Sequence, residues 1–537
     1  MVYAIKLLFA VLLLSAVFAP FLRGAMRGLI GDKDYWRVWM IIVATALASF
    51  LSMRPPIFMF LVAMIGLFAP RLLGGGTLGR LTAWWLLYVL FPPISMSAEG
   101  LPGINRIIEL MAHRVLSLVV LVPAVFELLG NKQVRANRMT RWTDLAFIAY
   151  PTMLILTAIP SSSSTNVARS VVEMALDLLL PYWVTTRAIR SAADLKHLCV
   201  RLVIGLAFLA AVGLMESALR KNVYSELQFI VGVIWQATHR LMRGPFLRVQ
   251  ATFPVPIVMA YVMTIGFCLW SWLGRTSTTT RRMRLLVSFG FFLAMAATFS
   301  RGPLLGWASF VITLIALRWI SPYKYLAGLT LLFGVAVGAS VTGTDEWAYE
   351  ALKTVFGSSA ADTSSIDYRR RLLETAVALI KQSPTWGVPN YMAYMQDLRQ
   401  GEGLIDIVNT YVAVALANGI VGLVLFMSPH VVVLVRLLRR LNSYEERPRR
   451  SVGAFPATMV AATVASLLTI FTTSDFSAVP RMLLFLIAVP TAWLAFDRAE
   501  QRRADEVVPV GDEVAPRGHP RFAPIPQEPG WREPNWQ

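Results

Sequence analysis

Three stretches of the chain carry arginines of the kind that bind phosphate groups. They are centred on Arg248, on Arg301 and on the run Arg369-Arg370-Arg371. A guanidinium group stays charged at any working pH, and its planar fork can hold two phosphate oxygens at once. Several such groups at one surface of a membrane predict a site for a lipid-linked diphosphate, because the head group of such a lipid lies at that depth.

Each arginine also has a plainer interpretation, which the sequence leaves open. Arg301 lies in a Ser-Arg-Gly-Pro turn between two apolar segments, so its side chain can simply extend to the membrane interface. The run at Arg369 opens an amphipathic segment that extends to Gln382, and such a run of charge can form a solvated helix face. Lys and Arg generally prefer the cytoplasmic side of a membrane protein. Arginines on the other side are therefore more often there for a functional reason.

A carboxylate near the same surface is the candidate general base. Asp406 comes just before a long apolar segment, and partial burial at the mouth of a membrane cavity suits a carboxylate to accept a proton. The same position equally allows Asp406 to cap the following helix or to pair with an arginine. His239, which is next to Arg240, is the second candidate base.

Composition places these residues in a helical membrane protein. Of the 537 residues, 56% are hydrophobic and 15% are charged, and the mean hydropathy is +0.59. Soluble globular domains contain about 45–50% apolar and about 25% charged residues. Apolar runs recur along the chain, and about 20 such residues cross the hydrocarbon core as a helix. We therefore predict an all-α polytopic integral membrane protein with about 14 transmembrane helices and one long outer-face loop that contains amphipathic helices.

Residue counts argue against two other kinds of site. The two cysteines, Cys199 and Cys268, cannot build a disulfide framework, and the five histidines are scattered without metal-ligand spacing. An Asp-x-Asp sequence occurs at Asp32-Lys33-Asp34, but it lies in a basic loop. The sequence therefore predicts no metal and no cofactor.

The net charge of +19 is distributed in a way that predicts the orientation in the membrane. Loops rich in Lys and Arg stay in the cytoplasm. Here they lie near residues 23–37, 132–141, 187–201, 275–284, 318–324 and 436–450. This orientation places Arg248, Arg301 and the segment 344–409 together on the outer face. No basic-aromatic patch accompanies the charge, so the expected partners include anionic membrane lipids and exclude nucleic acid.

The same patterns predict four parts of the chain. Residues 1–343 form the first set of transmembrane helices, residues 344–409 an extracytoplasmic loop domain, and residues 410–496 the last transmembrane helices. Residues 497–537 are rich in proline and charge, which predicts a disordered cytoplasmic tail.

Four motifs, in this order, resemble those of the O-antigen ligase/polymerase superfamily, the Wzy-type polymerases and WaaL-type ligases. The resemblance covers residues 248–426, about a third of the chain. The matching stretches are Arg248 with Thr252-Phe253 and Pro256; Ser300-Arg301-Gly302; the segment from Arg369 to Pro384-Thr-Trp-Gly387-Val388; and Asn409-Thr-Tyr411 with Asn418-Gly419 and Gly422.

This resemblance implies an enzyme of the bacterial inner membrane with its active site on the periplasmic face. The enzyme would transfer a polyprenyl-diphosphate-linked glycan onto a sugar hydroxyl of a second lipid-linked repeat, without a metal. Catalysis is assigned to Arg248, Arg301 and Asp406, and diphosphate binding to Arg248, Arg301, Arg369, Arg370, Asn409 and Tyr411. A flippase and a chain-length regulator are the expected protein partners. Ligases of the family carry histidine directly before the asparagine, where this chain has Val408, so the resemblance is closer to the exopolysaccharide-polymerase branch.

Three other functions stay open at this point. An O-antigen ligase would use the same arginines and a different acceptor. A flippase or transporter of lipid-linked glycans would use them to attract its anionic substrate, although no duplicated half supports it. A polyprenyl-phosphate sugar transferase would need the loop at Asp32 and Asp34 outside the cytoplasm, which its basic neighbours oppose.

Overall fold

Long apolar stretches of the chain form helices, because a helix satisfies its own backbone N–H and C=O groups where no water is present. The computed structural model describes residues 2–52, 54–99, 106–131, 140–159, 162–227, 241–243, 245–320, 360–388, 390–399, 405, 407–443, 454–474 and 477–506. One compact unit comprises Met1–Asp497, and a second unit comprises Arg498–Gln537.

The first half of the chain contains nine helices and a hairpin in its described part. They are α1 (Val2–Ala25), α2 (Asp32–Leu51), α3 (Pro55–Leu72), α4 (Gly76–Leu90), strands β1 (Ser95–Glu99) and β2 (Arg106–Met111), α5 (Ala112–Gly130), α6 (Arg141–Ala158), α7 (Ser164–Met174), α8 (Leu180–Ala188) and α9 (Ala192–Leu219). A π-helical turn, Ser117–Leu121, lies within α5, and a second one, Ala175–Leu179, joins α7 to α8.

The second half begins with a short hairpin and continues with helices. They are strands β3 (Met242–Arg243) and β4 (Phe246–Leu247), then α10 (Pro256–Thr276), α11 (Arg281–Ala296), α12 (Arg301–Ala316), α13 (Ala360–Gln382), a 3-10 helix (Tyr391–Leu398), α14 (Thr410–Asn442), α15 (Ala454–Ile470) and α16 (Ala478–Glu506).

Eight helices in the described ranges are long and apolar enough to cross a membrane, and α12 and α15 are shorter apolar helices. The prediction of an all-α polytopic membrane protein is therefore confirmed. The two hairpins are short and do not change this class. The count of about 14 transmembrane helices stays a prediction, as do the four predicted parts of the chain.

Three of the basic loops lie together at one end of the helices. Lys196 Nζ, ahead of most of α9, is 3.4 Å from the carbonyl oxygen of Gly28, and Ser277 Oγ donates to the carbonyl of Arg27 at 3.0 Å. We call this the basic end. Helix α10 has 21 residues and is therefore about 30 Å long, which matches the hydrocarbon thickness of a bilayer. Arg248 precedes the start of α10 and thus lies at the opposite end, which we call the site end.

A second, smaller core joins α13 to α14. Its buried side chains are Leu372, Ala376, Leu379, Met395, Ile407 and Leu416. The backbone of the Pro384–Val388 segment also bonds to α14, because Val388 N donates to the Leu416 carbonyl at 2.7 Å and Ile420 N to the Pro384 carbonyl at 2.8 Å. The third and fourth motifs of the resemblance therefore contact each other.

Gly419 makes this contact possible. Its φ of 64° interrupts the helical geometry of α14, and a Cβ at this position would clash with the Thr385 carbonyl and lie 2.6 Å from Trp386 N. Both conditions favour glycine, since L-residues with side chains rarely adopt this φ and backbone atoms cannot move aside easily.

We expect Gly419→Ala to lower the free energy of unfolding by about 1–3 kcal/mol, because the added methyl group overpacks a backbone contact. Thermal unfolding of the purified protein in detergent measures the effect. Gly290→Ala is the matched control, because a Cβ on Gly290 meets no atom within 4 Å. Equal unfolding temperatures for the two variants would contradict the assigned role of Gly419.

Candidate functional site

Arg248 is held against the turn that precedes Arg301. Its Nε donates to the Thr298 carbonyl at 2.9 Å, and one of its terminal nitrogens donates to Ser300 Oγ at 3.0 Å. Arg243 reaches the same turn and donates to the Phe299 carbonyl at 2.7 Å. Two of the three predicted arginine stretches therefore meet in space, 53 residues apart for Arg248 and Arg301.

The backbone at this meeting point takes an unusual conformation on both sides. Ala251 has a φ of 47° and Phe299 a φ of 50°, and neither residue is glycine. Such conformations cost about 1–3 kcal/mol each and persist only where the surrounding contacts enforce them. The two strained residues lie in the Arg248 loop and in the Ser300 turn, which contact each other. Backbone strain of this kind clusters at functional sites.

Among the described residues, no acid is in direct contact with the Arg248 guanidinium group. Arg248 is half-buried, and its described hydrogen-bond acceptors are a carbonyl and a hydroxyl group, both neutral. Burial and the charge of Arg243 lower the pKa of Arg248 to about 10, which still leaves it charged at neutral pH. Within the described ranges no carboxylate forms an ion pair with Arg248, so an anionic ligand would supply the missing charge.

Arg301 begins α12, and the next residue sets how closely this helix approaches α15. A Cβ on Gly302 would overlap Thr472 Oγ1 and lie 3.0 Å from Thr472 Cβ. Arg301 itself is half-buried. The absence of a side chain at Gly302 therefore places Arg301 beside the turn that follows α15.

Asn409 and Tyr411 flank a residue that contacts that turn, and Tyr411 also contacts the end of α15. Thr410 Oγ1 donates to the Thr473 carbonyl at 2.7 Å, and the hydroxyl group of Tyr411 donates to the Leu467 carbonyl at 2.7 Å. The amide oxygen of Asn409 caps α14 by accepting from Tyr411 N at 3.0 Å. These contacts give both residues a structural role, and their predicted role in diphosphate binding stays a prediction.

Arg369 and Arg370 lie on an exposed face of α13. Arg370 pairs with Glu374 at 3.0 Å, one helical turn further on, in an ion pair that is mostly exposed. The structure thus shows contact between two of the three predicted stretches, and the predicted role of Arg369 and Arg370 in diphosphate binding stays a prediction.

Both candidate bases, Asp406 and His239, lie outside the described residues, as does much of the predicted loop domain. Their neighbours Ile407 and Leu241 are described, and Leu241 accepts a backbone hydrogen bond from Arg248 N at 2.9 Å. Among the described His, Cys, Asp and Glu side chains, no group of three could hold a metal ion.

A second charged cluster lies near the same end and was not predicted as one unit. Asp177 accepts from Arg114 at 3.0 Å and from Arg481 at 2.8 Å, and Glu173 pairs with Arg114 at 2.8 Å. His113 Nε2 lies 3.0 Å from Asp177 Oδ1. The cluster joins α5, the π-helical turn after α7, and α16. Its acids balance its arginines, so it stabilises the packing of these helices and offers no free charge.

Hydrogen bonds at the end of α4 connect the charged cluster to the loop that carries Arg248. Thr252 Oγ1, in the Arg248 loop, donates to the Val89 carbonyl at 2.8 Å, and the hydroxyl of neighbouring Tyr88 donates to the Ser477 carbonyl at 3.3 Å. Arg481 donates to that same carbonyl at 2.8 Å. Sequence reasoning missed this arrangement, because residues far apart in the chain form it and no local motif marks them.

Comparison with known proteins agrees with the motifs. Residues 285–427 match the family model described as O-antigen ligase, a range that includes Arg301, Gly419 and the Asn409–Tyr411 segment. No curated protein matches the chain. Three of the four motifs lie within the matched range, so the predicted resemblance to the O-antigen ligase/polymerase superfamily is confirmed over residues 285–427.

Proposed function

We propose that this protein polymerises glycan repeats that are carried on a polyprenyl diphosphate. The observation that supports it most is the half-buried Arg248, held against Ser300 next to Arg301 with only neutral groups as its described acceptors. Such a pair of guanidinium groups suits the bidentate binding of a diphosphate. The match of residues 285–427 to the O-antigen ligase family model agrees with this ligand.

The reaction is a transfer between two lipid-linked repeats. The oxygen of an acceptor sugar hydroxyl attacks the anomeric carbon of the donor glycan, while the bond from that carbon to the diphosphate oxygen breaks. The electron pair leaves with the polyprenyl diphosphate, and the hydroxyl proton passes to the base. Arg248 and Arg301 stabilise the negative charge that develops on the leaving group, which is the role of fixed cations in such sites.

The acceptor separates a polymerase from a ligase of the same superfamily. Val408 directly precedes Asn409, where ligases of the family carry histidine, and its isopropyl group cannot accept a proton. This residue favours a polymerase, with Asp406 as the base. We place Arg369 and Arg370 as further contacts to the lipid-linked substrate.

We also propose an orientation, with the basic end in the cytoplasm and the site end on the periplasmic face of the bacterial inner membrane. The charge of the loops that meet near Gly28 supports it. A flippase that delivers lipid-linked repeats to this face and a regulator of chain length are the partners that such a reaction needs.

An in-vitro assay with purified protein tests the function. The protein is mixed with lipid-linked repeat units in liposomes, and the products are separated by size. We expect polymer of several repeats and released polyprenyl diphosphate. Transfer to a lipid A core acceptor without polymer would indicate a ligase, and translocation of the lipid without transfer would indicate a flippase.

Asp406→Asn is expected to lower the rate of transfer by about 10²–10⁴-fold, which is the usual contribution of a general base. Binding of the lipid-linked donor should change little, because the amide keeps the size of the carboxyl group. Turnover and donor affinity, measured separately on the purified variant, check this. Asp397→Asn, in the 3-10 helix, is the control. Unchanged turnover in Asp406→Asn would remove this residue as the base.

A further inference from the structure

Glu216 has a fully buried carboxyl group near the end of α9. Three backbone N–H groups donate to it: Val223 N at 2.7 Å to Oε1, and Gln250 N at 3.0 Å and Ala251 N at 2.9 Å to Oε2. Both carboxyl oxygens therefore act as acceptors. Buried backbone N–H groups need such acceptors, and no helix or sheet supplies them here.

Two of these three donors belong to the loop that carries Arg248. The loop is held at further points by Val249 N, which donates to the Ala297 carbonyl at 3.3 Å, and by Thr252 Oγ1, which donates to Val89. Glu216 is the one acidic side chain among these contacts, and a buried N–H group that loses its acceptor costs about 1–3 kcal/mol. One of its hydrogen bonds is to the N–H group of Ala251, which has an unusual φ of 47°. Such a conformation persists only where the surrounding contacts hold it.

We propose that Glu216 is a positioning residue for Arg248. It fixes the 248–251 loop so that the guanidinium group stays on Ser300, beside Arg301. Because Glu216 is buried, it acts on the diphosphate only through this loop. The inference rests on the proposed function for its kinetic part, and on the hydrogen bonds alone for its structural part.

Glu216→Gln tests the structural part first. The amide keeps the size of the side chain but replaces one acceptor oxygen with an NH₂ group, which faces a backbone donor. Hydrogen exchange of the full-length protein in lipid nanodiscs should become faster in residues 248–253. Asp144→Asn is the matched control, because Asp144 also accepts from three donors, Thr140, Tyr182 and Arg187, and none of them belongs to that loop. Exchange that is unchanged in Glu216→Gln, or equally faster in Asp144→Asn, would overturn the proposal.

A double-mutant cycle with Arg248→Lys tests the kinetic part. Displacing a binding group by about 1 Å can cost on the order of 10²-fold, so Glu216→Gln alone should slow glycan transfer by tenfold to a hundredfold. In the Arg248→Lys background, Glu216→Gln should lower the transfer rate by less than a further twofold, because the guanidinium group that Glu216 positions is already absent. Effects that multiply would show that Glu216 does not act through Arg248, and would overturn the proposal.

Two further variants keep these outcomes distinct. If Glu216→Gln does not accumulate, Glu216→Asp replaces it, since this variant keeps the carboxyl group and shortens the side chain. The same exchange and rate criteria then apply. If the wild-type protein transfers no glycan, the proposed function fails, while exchange in residues 248–253 still decides whether Glu216 holds the loop.

Discussion

Replacing Arg301 with alanine is expected to abolish long-chain polymer while the protein still inserts and accumulates. Arg301 begins α12 beside the Ser300 turn that holds Arg248, so its loss removes one of two cations from the diphosphate. Removing one group that stabilises developing negative charge costs about 10²–10³-fold in rate. Polymer length in cells and the rate of transfer by the purified variant measure the effect.

Arg318→Ala is the control for this experiment. Arg318 follows the other end of α12, is exposed, and belongs to a loop predicted to be cytoplasmic. This variant should make polymer of normal length. Normal polymer from Arg301→Ala would show that Arg301 only extends to the membrane interface, as its position in a tight turn also allows.

Arg248→Ala is expected to have an effect of the same size on transfer and a further effect on stability. The substitution removes the donor to the Thr298 carbonyl and to Ser300 Oγ, and these groups then lose a charged partner. The transfer rate should fall by about 10²–10³-fold, and the unfolding temperature should fall as well. Both are measured on the purified protein.

Arg201→Ala separates these two effects. Arg201 is a buried arginine near the basic end of α9 and donates to the Leu73 carbonyl at 2.9 Å. This variant should unfold at a lower temperature, while its folded fraction transfers glycan at the wild-type rate. If Arg201→Ala and Arg248→Ala lose activity equally per folded molecule, the special role of Arg248 is wrong.

The sequence predicts that Arg248 and Arg301 lie at the same membrane surface, and the structure adds that Arg248 bonds to Ser300, next to Arg301. Alternation of basic loops along apolar segments gives that information without any knowledge of packing. Arg369 belongs to the same predicted surface, but it lies on α13, which packs through a separate small core, and the topology does not predict that core. Membrane topology therefore predicts the side of a residue and not its neighbours.

The supporting contacts depend on packing and could not be predicted. Glu216 accepts from residues 34 and 35 positions later, and Arg481 pairs with Asp177 across most of the chain. Gly419 is recognisable as a motif residue in the sequence. The need for glycine there, which is the close approach of the Thr385 backbone, is visible only in the folded protein. Such contacts follow from the relative positions of helices, which no local pattern encodes.

Binding of polyprenyl diphosphate to the purified protein tests the role of the two arginines most directly. Affinity is measured for the wild type, Arg248→Ala, Arg301→Ala and the control Arg318→Ala in the same nanodiscs. Loss of a hydrogen-bonded charge costs about 1.5–3 kcal/mol, or about tenfold to a hundredfold in Kd. We predict this loss for Arg248→Ala and Arg301→Ala, with Arg318→Ala binding as the wild type does. Equal affinity in all four proteins would contradict the assignment of the diphosphate to Arg248 and Arg301.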